Sequence, residues 1–224
     1  MRNLSERLPI RGRGYSLASK ACGPLACHMY VLICESTKDA AVVDPSFCSP
    51  FEFQALVDHL EHQKANLKHV LLTHGHPDHV VGVAETMRAW PKASLHLHPL
   101  EEENYSQARE IGFDFGIRFS DEALPPPTHE LNDGDILSIG KSIELSVVHT
   151  PGHAPGHVAF VDRRCANNHK DFFLSHGENG RNKSDNIGNS QSTGNVLISG
   201  DLLFHGSVGR TDFPNSSIDD LYAR

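Results

Sequence analysis

The feature that most constrains this chain is the run Thr73-His74-Gly75-His76-Pro77-Asp78-His79. The stretch from Leu67 to Thr73 before it reads as a short apolar strand, and Pro77 suits the first turn of a helix, so the run lies where a strand enters a helix N-terminus. Four metal-type side chains then share one turn at the end of a sheet. His74 and His76, two apart across a glycine, can converge on one cation, while Asp78 and His79 can point to a neighbouring position. The spacing suits two metals; a histidine-rich surface loop is the bland alternative.

Two later segments repeat the layout. His149-Thr150-Pro151-Gly152-His153-Ala154-Pro155-Gly156-His157 follows the β-rich run Ile143–Val148, and Ser199-Gly200-Asp201 follows Val196–Ser199. Each delivers a metal-type residue just past a strand, so the carboxyl ends of separate strands can meet at one site, where α/β sheets usually hold ligands. Around these segments strands and helices alternate. Met29–Cys34 and Ala40–Val43 form a hairpin. Ser49 and Glu52 box the start of a helix with Pro50 at its first position and Phe53, Leu56, Val57 and Leu60 on one face. A second helix runs from Pro77 to Pro91, with Val80, Val81, Ala84 and Met87 inward. Ser94–His98 and Ile136–Ile139 are further strands, and no chemistry is assigned between Pro99 and Pro127. The pattern is α/β.

Composition narrows the partners. The 224 residues fit one domain over 16–224 behind a basic tail, 1–15, with a mobile Asn/Ser/Gly-rich insertion expected at 175–195. No apolar run approaches the roughly 18 residues of a membrane span, and a net charge of −8 argues against nucleic acid as a partner. Five cysteines without a tight CxxC pair suggest a reducing, cytoplasmic setting. The Arg-rich tail is also compatible with organelle targeting. Oligomeric state is left open.

With these motifs in hand, the chain resembles the metallo-β-lactamase fold superfamily: His-x-His-x-Asp-His at 74–79, Thr-Pro-Gly-His at 150–153 and Gly-Asp-Leu-Leu-Phe at 200–204 occur in the family's order. The segment Gly-Ser-Val-Gly-Arg-Thr-Asp-Phe-Pro at 206–214 is similar to the glyoxalase II (hydroxyacylglutathione hydrolase) branch in its compact single-domain form, and also to persulfide dioxygenases.

That resemblance implies a four-layer αβ/βα sandwich and two divalent ions, zinc foremost with iron or manganese as alternatives. It gives His74, His76 and His153 to the first metal, Asp78 and His79 to the second, and Asp201 to both. Asp44 and His157 would support the ligands rather than bind metal, and Arg210 would anchor a substrate carboxylate, with an Arg210–Asp212 pair as the structural alternative. Asp201, a carboxylate where a cysteine would stand, separates the chain from true β-lactamases. The implied reaction is hydrolysis of a glutathione thioester by a metal-bound hydroxide, with Asp78 and Asp201 as the catalytic carboxylates. A mononuclear iron persulfide dioxygenase is the alternative, and a truncated metal-binding domain with weak activity a third reading. The family's last histidine for the second metal has no counterpart after His205, so the chain reads as C-terminally truncated. Its second metal position is then expected to bind weakly unless His205 substitutes.

Overall fold

The computed structural model describes residues 14–162 and 196–223. The 175–195 insertion and residues 1–13 of the basic tail lie outside the described residues.

The N-terminal half is a six-stranded mixed sheet in the order β1 (Tyr15–Cys22), β2 (Cys27–Cys34), β3 (Asp39–Val43), β4 (Asn66–Leu71), β5 (Ser94–Leu97) and β6 (His129–Glu130). The first three strands are antiparallel and the rest parallel, because α1 (Pro50–His62) carries the chain from β3 back to β4 and two short helices carry it from β4 to β5. Such crossovers are what parallel pairing requires. β1 was not anticipated: Ser16, Ser19 and Lys20 hide its pattern, since it is an edge strand that buries only Tyr15, Ala18 and Cys22. The second sheet is antiparallel, in the order β10 (Leu197–Ile198), β9 (Val158–Asp162), β8 (Ile143–His149), β7 (Ile136–Ile139).

Alternation along the strands explains why the sheets stack. On β2, Met29, Val31 and Ile33 face one cluster with Leu56 and Leu60 of α1, while Leu32 and Cys34 face Leu145, Val147 and Phe160 of the second sheet. β3 divides the same way, Ala40 and Val42 toward the helices and Ala41 and Val43 toward the other sheet. A strand buried on both faces reads as a continuous apolar run, as these do.

The helix expected from Pro77 to Pro91 is two helices, α2 (Pro77–Val80) and α3 (Val83–Ala89). Gly82 marks the break: its N–H donates to Pro45 O at 2.8 Å, and a Cβ there would lie 2.5 Å from that oxygen and from the Phe47 ring. The chain must bend to seat the Asp44-Pro45 corner. His69 lies on β4, and His98 stands just past β5, accepting the Leu100 N–H at 3.2 Å as the cap of a 3-10 turn over Pro99–Glu101 that leads into α4 (Glu102–Asp114). A small hairpin, β11 (Leu203–Phe204) with β12 (Ser207–Val208), and α5 (Ile218–Tyr222) complete the described residues.

Candidate metal centre

All three histidine/aspartate segments leave the carboxyl ends of strands at one edge of the paired sheets. The edge is tied together by backbone: Asp44 N–H donates to Leu71 O at 3.0 Å, and Val158 N–H, opening β9, donates to Thr73 O at 2.8 Å. The second bond joins the two sheets through the histidine loop itself.

His74, His76 and His153 come together with ring centroids 4.6, 4.6 and 4.9 Å apart. Their facing nitrogens are closer: His74 Nε2 to His76 Nδ1 is 3.0 Å, and His76 Nδ1 to His153 Nε2 is 2.9 Å. Partners fix two of the tautomers. Thr73 Oγ1 gives its proton to Asp44 Oδ2 (2.7 Å), so it accepts from His74 Nδ1 (3.0 Å) and leaves the His74 Nε2 lone pair free. The Arg210 carbonyl can only accept, so His153 donates from Nδ1 (2.8 Å) and turns its Nε2 lone pair inward. Burial, reinforced by neighbouring histidines, pushes His74 well below the ordinary imidazole range and His76 to about 3. His153 is lowered by burial against an opposing pull from Asp201. The three rings are therefore neutral near pH 7, with His74 Nε2, His76 Nδ1 and His153 Nε2 facing one point. Zn–N bonds of about 2.0–2.1 Å in tetrahedral geometry require nitrogens about 3.3 Å apart, so this donor set fits a divalent cation with little adjustment.

Beside it, His79 Nε2 faces Asp201 Oδ1 at 3.2 Å and Asp78 Oδ2 at 3.6 Å, and its Nδ1 donates to Asp44 Oδ2 at 2.9 Å. Burial pulls the His79 pKa down, yet Cys27, Asp78, Asp201 and Asp44 outweigh it and hold it well above the ordinary value. Asp201 reaches both groups, its Oδ2 lying 3.4 Å from His153 Nε2. Burial raises its pKa, but His79, His153 and His157 overcome that and leave it lowered.

Asp44 takes the support position. It is buried with φ of 48°, a left-handed conformation uncommon for a residue with a side chain, and from there its carboxylate accepts from Thr73 N (2.8 Å), Thr73 Oγ1 and His79 Nδ1. His157 is fully buried and accepts the Asp201 N–H on Nε2 at 3.1 Å, leaving its Nδ1–H for Thr150 Oγ1 at 2.8 Å. Both ring nitrogens are thus engaged away from the ligand cluster. The Arg210 side chain is exposed, pairs with Asp212 through two bonds of 2.6 and 2.8 Å, and lies over the Phe213 ring at 4.4 Å, while Phe213 packs on His76. His205 is exposed on the β11–β12 turn, outside the ligand groups.

Two residues that sequence reasoning passed over belong to this edge. Glu101 is fully buried and its carboxylate accepts the N–H groups of Gly75 (2.8 Å) and Gly156 (2.6 Å), clamping the two histidine loops to each other. Cys27 Sγ lies 3.5 Å from His79 Nε2 and forms a possible ligand group with Asp78 and His79. Neither carries a motif: Glu101 opens a run of three glutamates, and Cys27 is distant in sequence from every histidine of the site.

Residues 22–166 match the family model described as the metallo-beta-lactamase superfamily. The chain belongs to this superfamily. The hydroxyacylglutathione hydrolase GloC of Haemophilus influenzae is 27% identical over 190 residues, 85% of this chain and 73% of that protein. Among solved structures, TTHA1623 in a di-iron-bound form is 29% identical with a TM-score of 0.66, and the BLEG-1 B3 metallo-beta-lactamase 26% identical with a TM-score of 0.65. Each alignment covers 92% of this chain and 82% of the other. The architecture is thus the superfamily's α/β sandwich, and membership implies a metallo-hydrolase-type enzyme that binds divalent metal, with the metal's identity open. No helix among the described residues is long and apolar enough to cross a membrane.

Proposed function

We propose that the protein is a metal-dependent thioester hydrolase of the hydroxyacylglutathione hydrolase type, acting on a small glutathione conjugate. The observation that carries the reading is the convergence of neutral imidazole nitrogens of His74, His76 and His153 beside the carboxylates Asp78 and Asp201 and the His79 imidazole. Likeness to GloC supports the substrate class.

His74, His76, His153 and Asp201 would hold one divalent cation and Asp78, His79 and Asp201 a second; when bound, such a pair lowers the pKa of water toward neutrality and polarises a carbonyl. The chain's residues do the positioning. His153 is locked by the Arg210 carbonyl, and His79 by Asp44, so neither ring can turn its lone pair away. Asp78, at the start of α2, can accept a proton from an incoming water and orient it toward a bound carbonyl. The leaving thiolate has a low pKa of its own and needs no dedicated acid. Arg210 at the rim would meet a carboxylate of the glutathione tail by sharing or exchanging its pair with Asp212.

Chelation followed by restoration of zinc, manganese or iron, with thioester hydrolysis measured after each, tests the reading. Activity should vanish on stripping, return with metal, and stay absent in His153→Ala. Hydrolysis that survives complete metal removal would overturn it. The di-iron form of TTHA1623 bears on the metal alone, and it is why iron stands beside zinc and manganese in this test.

A further inference from the structure

Residues 209–213 wrap around one of the three clustered histidines and carry a cation with them. Gly209 packs so closely that an added Cβ would lie 3.1 Å from His153 Cγ, and the Arg210 carbonyl accepts from His153 Nδ1 at 2.8 Å. The Phe213 ring centre stands 5.0 Å from that of His76 and 5.9 Å from that of His153. Against this backbone the Arg210 side chain is held twice. Asp212 accepts from its Nε at 2.6 Å and from its Nη2 at 2.8 Å, and the guanidinium carbon lies over the Phe213 ring at 4.4 Å. A single aromatic ring thus touches both the guanidinium and the three-histidine cluster. A guanidinium has two edges that can grip a carboxylate with paired N–H groups, and Asp212 takes the Nε/Nη2 edge, leaving the Nη1/Nη2 edge open. Both side chains of the pair are exposed, where an ion pair contributes little to stability. What the arrangement chiefly does is remove rotamers from a long cationic side chain beside the site.

We propose that Asp212 and Phe213 are positioning residues that hold Arg210 with its Nη1/Nη2 edge open, so that the protein selects thioesters whose thiol carrier bears a carboxylate. The inference rests on the thioester-hydrolase reading above and deepens it: the Arg210–Asp212 pair stays intact when substrate binds, rather than being exchanged for the substrate's carboxylate. An arginine free to rotate gives up that freedom on binding, whereas one already held gives up little. No bond is made or broken at this position, so its effect falls on KM and on the choice of carrier.

Kinetics of the metal-loaded full chain on two thioesters of one acyl group test this, one on glutathione and one on N-acetylcysteamine, which carries no carboxylate. Wild type should prefer the glutathione thioester in kcat/KM. In Asp212→Ala that preference should fall about 2–10-fold, the cost of ordering one rotamer-rich side chain on binding, and it should fall through the KM of the glutathione thioester. Thermal melts should place the variant near wild type, because the pair is exposed. Phe213→Leu should reduce the same preference, even if its lost contacts with His76 and His153 slow both substrates. A purely structural role would slow both substrates alike and keep their ratio. A ratio that holds in either variant would overturn the inference and leave thioester hydrolysis standing. So would a lower KM for the glutathione thioester in Asp212→Ala, which would make Asp212 a competitor for the fork. No turnover of either thioester by metal-loaded wild type would overturn both.

Discussion

Glu101→Gln is the substitution whose cost the structure defines most closely. Oε2 of Glu101 accepts from Gly75 N–H at 2.8 Å and Asn104 Nδ2 at 2.9 Å, and Oε1 accepts from Gly156 N–H at 2.6 Å. All three donors meet a carboxylate with no exposed surface. A glutamine offers one carbonyl oxygen, so if it serves Gly75 and Asn104, its amide N–H₂ is thrust against the Gly156 N–H, which is left buried and unsatisfied. A hydrogen bond to a charged acceptor contributes about 1.5–3 kcal/mol, and an orphaned buried donor costs about 1–3 kcal/mol. The combined loss is about 2.5–6 kcal/mol, which for a chain of this size lowers Tm by about 5–24 °C. Gly75 separates His74 from His76 and Gly156 precedes His157, so loosening the clamp should also weaken zinc binding at the three-histidine position about 10–100-fold. Thermal melts of the metal-free protein and zinc titrations of the same samples measure both. Asn104→Ala, which removes one donor and leaves the two loops clamped, should cost less. A Glu101→Gln protein with wild-type Tm and wild-type zinc affinity would refute the clamp.

Asp201→Asn should reduce activity more than His157→Ala, measured at saturating metal, because Asp201 faces both ligand groups whereas His157 acts by holding the Asp201 N–H. Gly200→Ala should lower both Tm and metal affinity, read by melts and zinc titration: φ is +49°, and an added Cβ would sit 2.7 Å from His157 Nε2 and from Thr73 Oγ1. The metal-free protein should lose stability in mild acid. His76 and His157 titrate at about 3 in the fold, chiefly through burial, against 6.5 in an unfolded chain. Between those values only the unfolded state binds the protons, so their contribution is full above pH 6.5 and is lost as pH falls, by up to about 1.4 kcal/mol per pH unit for each. Urea melts from pH 7.5 to 4.5 should show that slope, and His157→Gln should reduce it.

The α/β alternation and the three histidine/aspartate segments were legible because each is local, a strand pattern followed within a few residues by ligand-type side chains; the sandwich itself came through the family resemblance those motifs carry. Ser49 likewise caps α1 where the capping box placed it, accepting from Glu52 N–H at 3.3 Å. What escaped depends on contacts between distant residues. β1 is recognisable only once β2 pairs along its whole length. The bend at Gly82 comes from Pro45 and Phe47 packing against it, which the helical periodicity of Val80, Ala84 and Met87 does not register. Glu101 and Cys27 reach the site from 26 and 52 positions away from the Gly75 and His79 they face, and nothing near either marks them.

The central claim, metal-dependent hydrolysis of a glutathione thioester, is tested most directly by metal analysis of the purified protein with parallel assays of one preparation. The substrates are an acyl-glutathione thioester, glutathione persulfide with oxygen uptake followed, and a chromogenic β-lactam. The expected result is thioester turnover that tracks divalent-metal content, with free thiol released in step with the acid and no oxygen consumed. Oxygen uptake on the persulfide by an iron-loaded protein inert toward the thioester would contradict it.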